Sequence, residues 1–255
     1  MPAPKATVAP TQPTAAELTA LLGSVRASAT RMHATLAEMT DHQVNEWSAL
    51  PGWSRGHVIT HVARSADAYR WLLSLARTGA GPGPRADAPA PERALREGAG
   101  RDATTLAADL RDSMDQLLDE AALMPAERWS TLLTSLPGYR HPAWFTLHRA
   151  RRELEIHHAD LLLGHTTADW PADFVCWALD GTTTALGARA FPVARMEATD
   201  LDRSWSLGPA GHTVSGPGHA LLAWLAGRGG EAELRSPLPL PKPPPWPLAP
   251  YPGWS

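Results

Sequence analysis

The chain has 255 residues, of which 44% are apolar, with 23 basic and 26 acidic side chains and a formal net charge of −3. That length suits two domains better than one, and there is enough apolar material to bury a sizeable core. The basic residues are scattered, which excludes the Lys/Arg stripe of a nucleic-acid surface, and no run of about eighteen apolar residues is present to span a membrane.

Cys176 is the lone cysteine, so an internal disulfide and a multi-thiolate metal site are both excluded. Residues 2–14 (PAPKATVAPTQPT) lack the apolar centre of a secretion signal. The expectation is a cytoplasmic protein with no membrane and no nucleic-acid partner.

Along the chain, residues 1–13 read as a disordered tail. Thr14-Ala-Ala-Glu17 has capping-box spacing, and Leu18, Leu21, Leu22, Val25, Met32 and Leu36 then recur at helical intervals. A turn at Leu50-Pro51-Gly52 precedes a second helix, with Ser54 as its N-cap and Gly79 just past its end. Residues 79–91 (GAGPGPRADAPAP) read as a loop, being dense in Pro and Gly. A third helix is predicted over roughly 101–124, and a fourth over roughly 142–163, with Pro142 near its start and Gly164 past its end. Four amphipathic helices make the economical architecture of residues 14–168 an antiparallel four-helix bundle.

After Gly164 the texture changes. A helix near 171–189, strands at 193–199, 204–207 and 212–214, and a last helix over 218–226 predict a small α+β domain across 169–236. Residues 237–255 are rich in proline and read as an extended tail, either packed on the body or disordered. The fold class expected is mainly α, a bundle followed by a small α+β part.

Two helices carry paired polar candidates. His57 and His61 are four apart on the second; Glu153 and His157 are four apart on the fourth, with His158 and Asp160 beside them. Side chains at i and i+4 stand one above the other, so each pair is a natural chelating unit. Facing helices can bring such pairs together, and a His/His/Glu set with an open fourth position suits catalytic zinc. Spacing leaves an ordinary account equally open: hydrogen-bonded bundle histidines, and Glu153 on an ion-pair face among Arg151, Arg152 and Glu155.

The segment Leu50-Pro-Gly-Trp-Ser-Arg-Gly-His-Val-Ile-Thr-His61-Val-Ala-Arg64 resembles the first-domain motif of the mycothiol-dependent maleylpyruvate isomerase family. Arg151-Arg-Glu-Leu-Glu-Ile-His157-His-Ala-Asp-Leu161 is similar to its second metal motif. Trp205-Ser-Leu-Gly, Val214-Ser-Gly-Pro-Gly and Leu222-Ala-Trp-Leu-Ala-Gly-Arg228 resemble its C-terminal region. These similarities run from about residue 14 to 235. The tryptophan–histidine and Glu-x3-His elements are also shared with the wider DinB-like superfamily, so the resemblance implies a DinB-like bundle.

The resemblance further implies metal ligands at His61, Glu153 and His157, one Zn²⁺ per chain, and mycothiol as the thiol cofactor. His57 and His158 do not match ligand positions. Arg228 corresponds to a family arginine implicated in function, for which holding a substrate carboxylate suits a guanidinium; the alternative is a charge complementing the helix dipole. The implied chemistry is thiolate addition to a cis double bond, rotation and elimination to the trans product. The nucleophilic sulfur has to come from the cofactor, since Cys176 lies outside both motifs. The partners are thus a small-molecule thiol and an electrophilic substrate, and the resemblance implies a monomer. Two other readings stay open: a mycothiol S-transferase for detoxification or natural-product assembly, and a non-catalytic metal-binding stress or regulatory protein. A His/His/carboxylate set also accepts Ni²⁺, Co²⁺ or Fe²⁺.

Overall fold

The computed structural model describes residues 12–87, 90–136, 138–209 and 211–247. They form two compact units, one ending at His165 and the other beginning at Thr166. The expected disordered tail at 1–13 lies almost wholly outside the described residues, as do residues 248–255.

The first unit is built on α1 (Ala15–Ala37), α2 (Asp41–Asn45), α3 (Arg55–Thr78), α4 (Ala90–Gly98), α5 (Ala103–Ala122), β1 (Leu132–Thr134), β2 (Arg140–Pro142) and α6 (Phe145–Asp160). The four long helices pack as a closed ring, α1 on α5 and α6, and α3 on the same two. Val25, Met32, Val58, Val62, Leu106, Leu110, Leu147 and Leu154 fill its centre.

Residue pairings give the directions. Arg64 meets Asp109 and Arg77 meets Glu120, so α3 and α5 run parallel. Ser28 meets Glu155 and Thr35 meets His158, so α1 and α6 also run parallel. His61 faces His157 while Tyr69 faces Arg149, so α3 and α6 are antiparallel. Each helix therefore has one parallel and one antiparallel neighbour. The long connection from Gly79 to Asp102 carries the chain back so that α5 can start beside the start of α3.

That connection is only partly a loop. Residues 79–87 have no regular structure, but α4 begins at Ala90 inside the stretch read as irregular. Pro91 is its second residue, where a missing N–H costs little. The hairpin of β1 and β2, with Leu132 opposite Pro142, was not predicted either. Pro142 closes β2 instead of opening the helix, which begins three residues later at Phe145. Ser54 and Gly79 behave as read: Ser54 precedes α3 in a capping box, and Gly79 adopts φ 79° after its last residue.

The second unit holds α7 (Ala172–Gly187), β3 (Val193–Ala198), β4 (Arg203–Ser206), β5 (His212–Gly216) and α8 (Gly218–Leu225). The sheet order is β4-β3-β5, with β3 antiparallel to β4 and parallel to β5. Phe174, Met196, Val214, Leu221 and Trp224 are its buried centre. Residues 237–247 contain no helix or strand, and the Trp246 indole donates to Thr182 Oγ1 at 3.0 Å. The fold is mainly α with a small α+β part.

Candidate metal centre

The segment leading into α3 is a tight turn: the Trp53 N–H donates to the Leu50 carbonyl at 3.1 Å, with Pro51 and Gly52 between and Gly52 at φ 80°. Proline then glycine at the two central positions is what a type II turn asks for. The turn sets Trp53 beside His61, ring centroids 5.4 Å apart. Arg55, 8% exposed, locks α3 to the far end of α6, its Nε donating to the Leu161 carbonyl at 2.6 Å. An ion pair with Glu46 completes its environment. The Ala49 N–H donates to the Asp160 carbonyl at 2.9 Å. Both helices that bear the paired candidates are thus pinned at one end.

His61, Glu153 and His157 converge. Glu153 Oε2 lies 3.2 Å from His61 Nε2 and 3.3 Å from His157 Nε2, and one ligand atom from each residue fits within 4.8 Å of the others. Those separations are long for charge-assisted hydrogen bonds, which run about 2.7–2.9 Å. They match the edge of a tetrahedron around a zinc ion with bonds of about 2.0–2.1 Å, roughly 3.3–3.4 Å. The set can hold such an ion. It is also reached from solvent, the His61 side chain being 31% exposed against 12% for His157.

Glu153 divides its oxygens. Oε2 faces the two imidazoles, while Oε1 accepts the Tyr69 hydroxyl at 2.9 Å and lies 3.7 Å from Arg152 Nη2. Burial alone pushes the Glu153 carboxyl up; hydrogen bonds to His157 and His61 and the Arg152 charge outweigh it and hold the group well below the usual carboxylate range. Burial likewise pushes His157 down, but Asp160 and Glu153 raise it above the ordinary imidazole value.

Asp160, whose side chain is fully buried, has Oδ2 2.9 Å from His157 Nδ1. With the Nδ1–H donated to that carboxylate, Nε2 presents its lone pair to the ligand position; metal-bound histidines are oriented this way. Sequence reasoning noted Asp160 without a role. The signal was its place three residues after His157. Tyr69 was missed; its signal was eight residues, about two helical turns, after His61.

The other candidates separate cleanly. His57 caps its own helix, Nδ1 accepting the Ser54 N–H at 3.2 Å and lying 2.8 Å from Ser54 Oγ. His158 is buried on another side of α6, 2.7 Å from Thr35 Oγ1 and stacked on His165 at 3.8 Å. Glu155 is not on a surface face: it is 1% exposed and pairs with Arg31 at 2.6 Å. Arg228 belongs to the second unit, where its backbone N–H and its Nη1 donate to the Ala223 and Ala226 carbonyls at 2.8 and 2.7 Å, at the end of α8.

The family described as the mycothiol maleylpyruvate isomerase N-terminal domain matches residues 25–162, more than half the chain and the whole of this site. The chain belongs to that family. Two solved structures share its fold across both units. One is a mycothiol-dependent maleylpyruvate isomerase, 24% identical, with TM-score 0.81, over 90% of this chain and 97% of that one. The other is a histidine-to-alanine variant of such an enzyme, at the same identity and coverage with TM-score 0.80. No curated protein sequence matches significantly.

Proposed function

We propose that the chain is a zinc- and mycothiol-dependent enzyme that activates the thiol for addition to an unsaturated electrophile, with isomerisation of the maleylpyruvate type as its reaction. The observation that carries this reading is the His61–Glu153–His157 triad, its ligand atoms within 4.8 Å of one another, in a chain of this family. Zinc bound there would supply a Lewis acid that favours thiolate over thiol near neutral pH.

The chain's own residues do the rest. Asp160 keeps His157 in the tautomer with Nε2 free. Tyr69 and Arg152 hold Glu153 Oε1, so that Oε2 is aimed and ionised. Trp53 covers one side of His61. For Arg228 we propose contact with a substrate carboxylate, which Arg228→Lys tests by keeping the charge while losing the fork.

The test is metal content by mass spectrometry beside thiol-dependent turnover of maleylpyruvate, in wild type and in His61→Ala, Glu153→Ala and His157→Ala. Near-stoichiometric zinc and turnover are expected in the wild type, and loss of both with far-UV circular dichroism unchanged in the variants. A folded wild type that takes up no zinc when offered it, or a fully active His61→Ala protein, overturns the reading. Zinc-replete protein that conjugates mycothiol to other electrophiles without isomerising maleylpyruvate makes it an S-transferase.

A further inference from the structure

A cavity of about 430 Å³ opens beside α3, between its middle turns, residues 84–86, the first turns of α4 and Leu136 in the turn of the hairpin. Pockets of this size ordinarily take small molecules. Its walls carry Ala68, Leu72, Pro84 and Pro91 together with Tyr69 and Trp71, so its body is apolar and partly aromatic. Its charge is one-sided: Arg64, Arg70, Arg85 and Arg149 against Asp67.

Two of these cations, Arg149 and Arg70, form no ion pair among the described residues and have a buried Nε without a hydrogen-bond acceptor. Arg149 is 8% exposed and forms no ion pair among the described residues; burial works against its charge, while the two tyrosines around it and Glu153, one helical turn on, favour it. Its Nη1 donates to His141 Nε2 at 2.9 Å, and its guanidinium lies over the rings of Tyr69 and Tyr139, at 4.7 and 5.3 Å. Its Nε is buried without a hydrogen-bond acceptor. Burial pushes His141 down to about 4, so that ring brings no charge to the pair. Arg70 is half-buried, also has a buried Nε without an acceptor, and forms no ion pair among the described residues. Arg64, by contrast, is matched by Asp67 and Asp109, and Arg85 Nη2 is committed to the Thr134 carbonyl at 2.6 Å.

A guanidinium buried without an ion-pair partner is costly, and an anion entering the cavity would offset that cost. The wall is also built. Gly81 has no room for a Cβ, which would sit 2.5 Å from the Trp71 ring. The Trp71 indole N–H donates to the Gly83 carbonyl at 3.0 Å, and the Arg85 guanidinium lies 5.4 Å from the centre of its ring. Tyr69 joins the cavity to the triad: it lines the one and donates to Glu153 in the other. Arg149 precedes Glu153 by one helical turn.

We propose that this cavity binds a carboxylate of the electrophile, a short unsaturated dicarboxylic acid, other than the one given to Arg228, with Arg149 and Arg70 as its charge partners and Trp71 as the wall along its carbon chain. This rests on the reading above only for the identity of the occupant; carboxylate binding itself does not require the metal.

The test is a titration of the full chain, as purified and again after metal removal, with maleate, fumarate, the neutral diamide of maleate, and inorganic phosphate. Binding is read by calorimetry and by quenching of tryptophan emission. Maleate or fumarate is expected to bind with or without metal, with a quench that disappears in Trp71→Phe. Arg70→Gln and Arg149→Gln should each weaken binding roughly tenfold or more, as loss of a charged hydrogen bond does. Arg70→Gln is the variant that decides if Arg149→Gln does not fold. Absence of carboxylate binding in the zinc-loaded, thiol-active protein overturns this proposal and leaves the enzyme reading intact. Carboxylate binding in a chain that never takes zinc does the reverse. Equal binding of phosphate or of the neutral diamide overturns the carboxylate assignment, as does a folded Arg70→Gln protein with unchanged affinity.

Discussion

Asp160→Asn replaces one buried carboxylate oxygen by an amide nitrogen without changing the volume of the side chain. Asp160 Oδ2 lies 2.9 Å from His157 Nδ1, its side chain has no solvent contact, and no water can restore the lost charge. The amide oxygen can still accept the Nδ1–H, so the tautomer survives while the imidazole loses the carboxylate that raises its basicity. Partners of this kind behind a metal-bound histidine contribute about 10- to 100-fold to metal affinity. That is about 1.4–2.7 kcal/mol, at roughly 1.36 kcal/mol per tenfold. Zinc affinity is to be measured by competition with a chromophoric chelator at fixed pH, in wild type and Asp160→Asn. Weakening within that range is expected, with thiol-dependent turnover restored by raising free zinc. A variant that binds zinc as tightly as wild type refutes the reasoning, because His157 would then not be presenting Nε2 under the control of Asp160.

Zinc uptake should release protons, more at pH 6 than at pH 8, since His157 is raised by Asp160 and Glu153 and must lose its Nε2 proton to bind a metal; calorimetry in buffers of different ionisation enthalpy counts them. In the metal-free protein the raised His157 stabilises fully below its unfolded value of about 6.5 and loses that contribution as pH rises through its folded value. The depressed Glu153 stabilises above about 4.3 and loses its contribution as pH falls through its folded value, so chemical denaturation should find the triad's contribution greatest between those limits. Tyr69→Phe removes the hydroxyl 2.9 Å from Glu153 Oε1 and should cost about 1.5–3 kcal/mol of unfolding free energy, the usual range for a hydrogen bond to a charged group; an unchanged denaturation midpoint would count against that bond. Gly56→Ala would set a methyl 2.2 Å from the Ala99 carbonyl oxygen and should destabilise by about 1–3 kcal/mol through displacement of the segment after α4; equal thermal midpoints would rule out that close approach.

The four long helices and the α+β part were legible because each rests on signals local in sequence. Thr14 and Glu17 do form the capping box their spacing suggests, with Glu17 Oε2 2.7 Å from the Thr14 N–H. Val193, Met196 and Val214 are the buried faces of strands whose ends the turn residues marked. What was not legible depends on partners far along the chain. Ala90–Gly98 is helical where Pro and Gly dominate just upstream, and it is held by packing on α3, with Gly98 too close to Thr60 for any side chain. The strands Leu132–Thr134 and Arg140–Pro142 are three residues each, too short to show alternation, and exist through pairing with each other. At the site, i,i+4 spacing exposed Glu153 and His157 as a unit. It did not distinguish His57, which serves its own helix end, from His61, because both lie on the same face of α3. It also gave no hint that Arg149, one turn before Glu153, lies against the Tyr69 and Tyr139 rings with no ion pair among the described residues.

If the triad takes a cation and the cavity a carboxylate, the two sites are coupled. Arg149 faces the Tyr69 ring, and Tyr69 donates to Glu153, so a cationic group lies one helical turn behind a proposed metal ligand. An anion against Arg149 offsets positive charge that otherwise opposes a metal ion in the triad. A metal ion in turn raises the local positive potential that draws a carboxylate. Binding reciprocity requires both effects to have one magnitude: the factor by which maleate tightens zinc equals the factor by which zinc tightens maleate. The Tyr69→Phe protein keeps the ring and the cation while breaking the bond to Glu153. A coupling factor unchanged in that variant assigns the effect to the field of Arg149, and a lost one assigns it to the hydrogen bond.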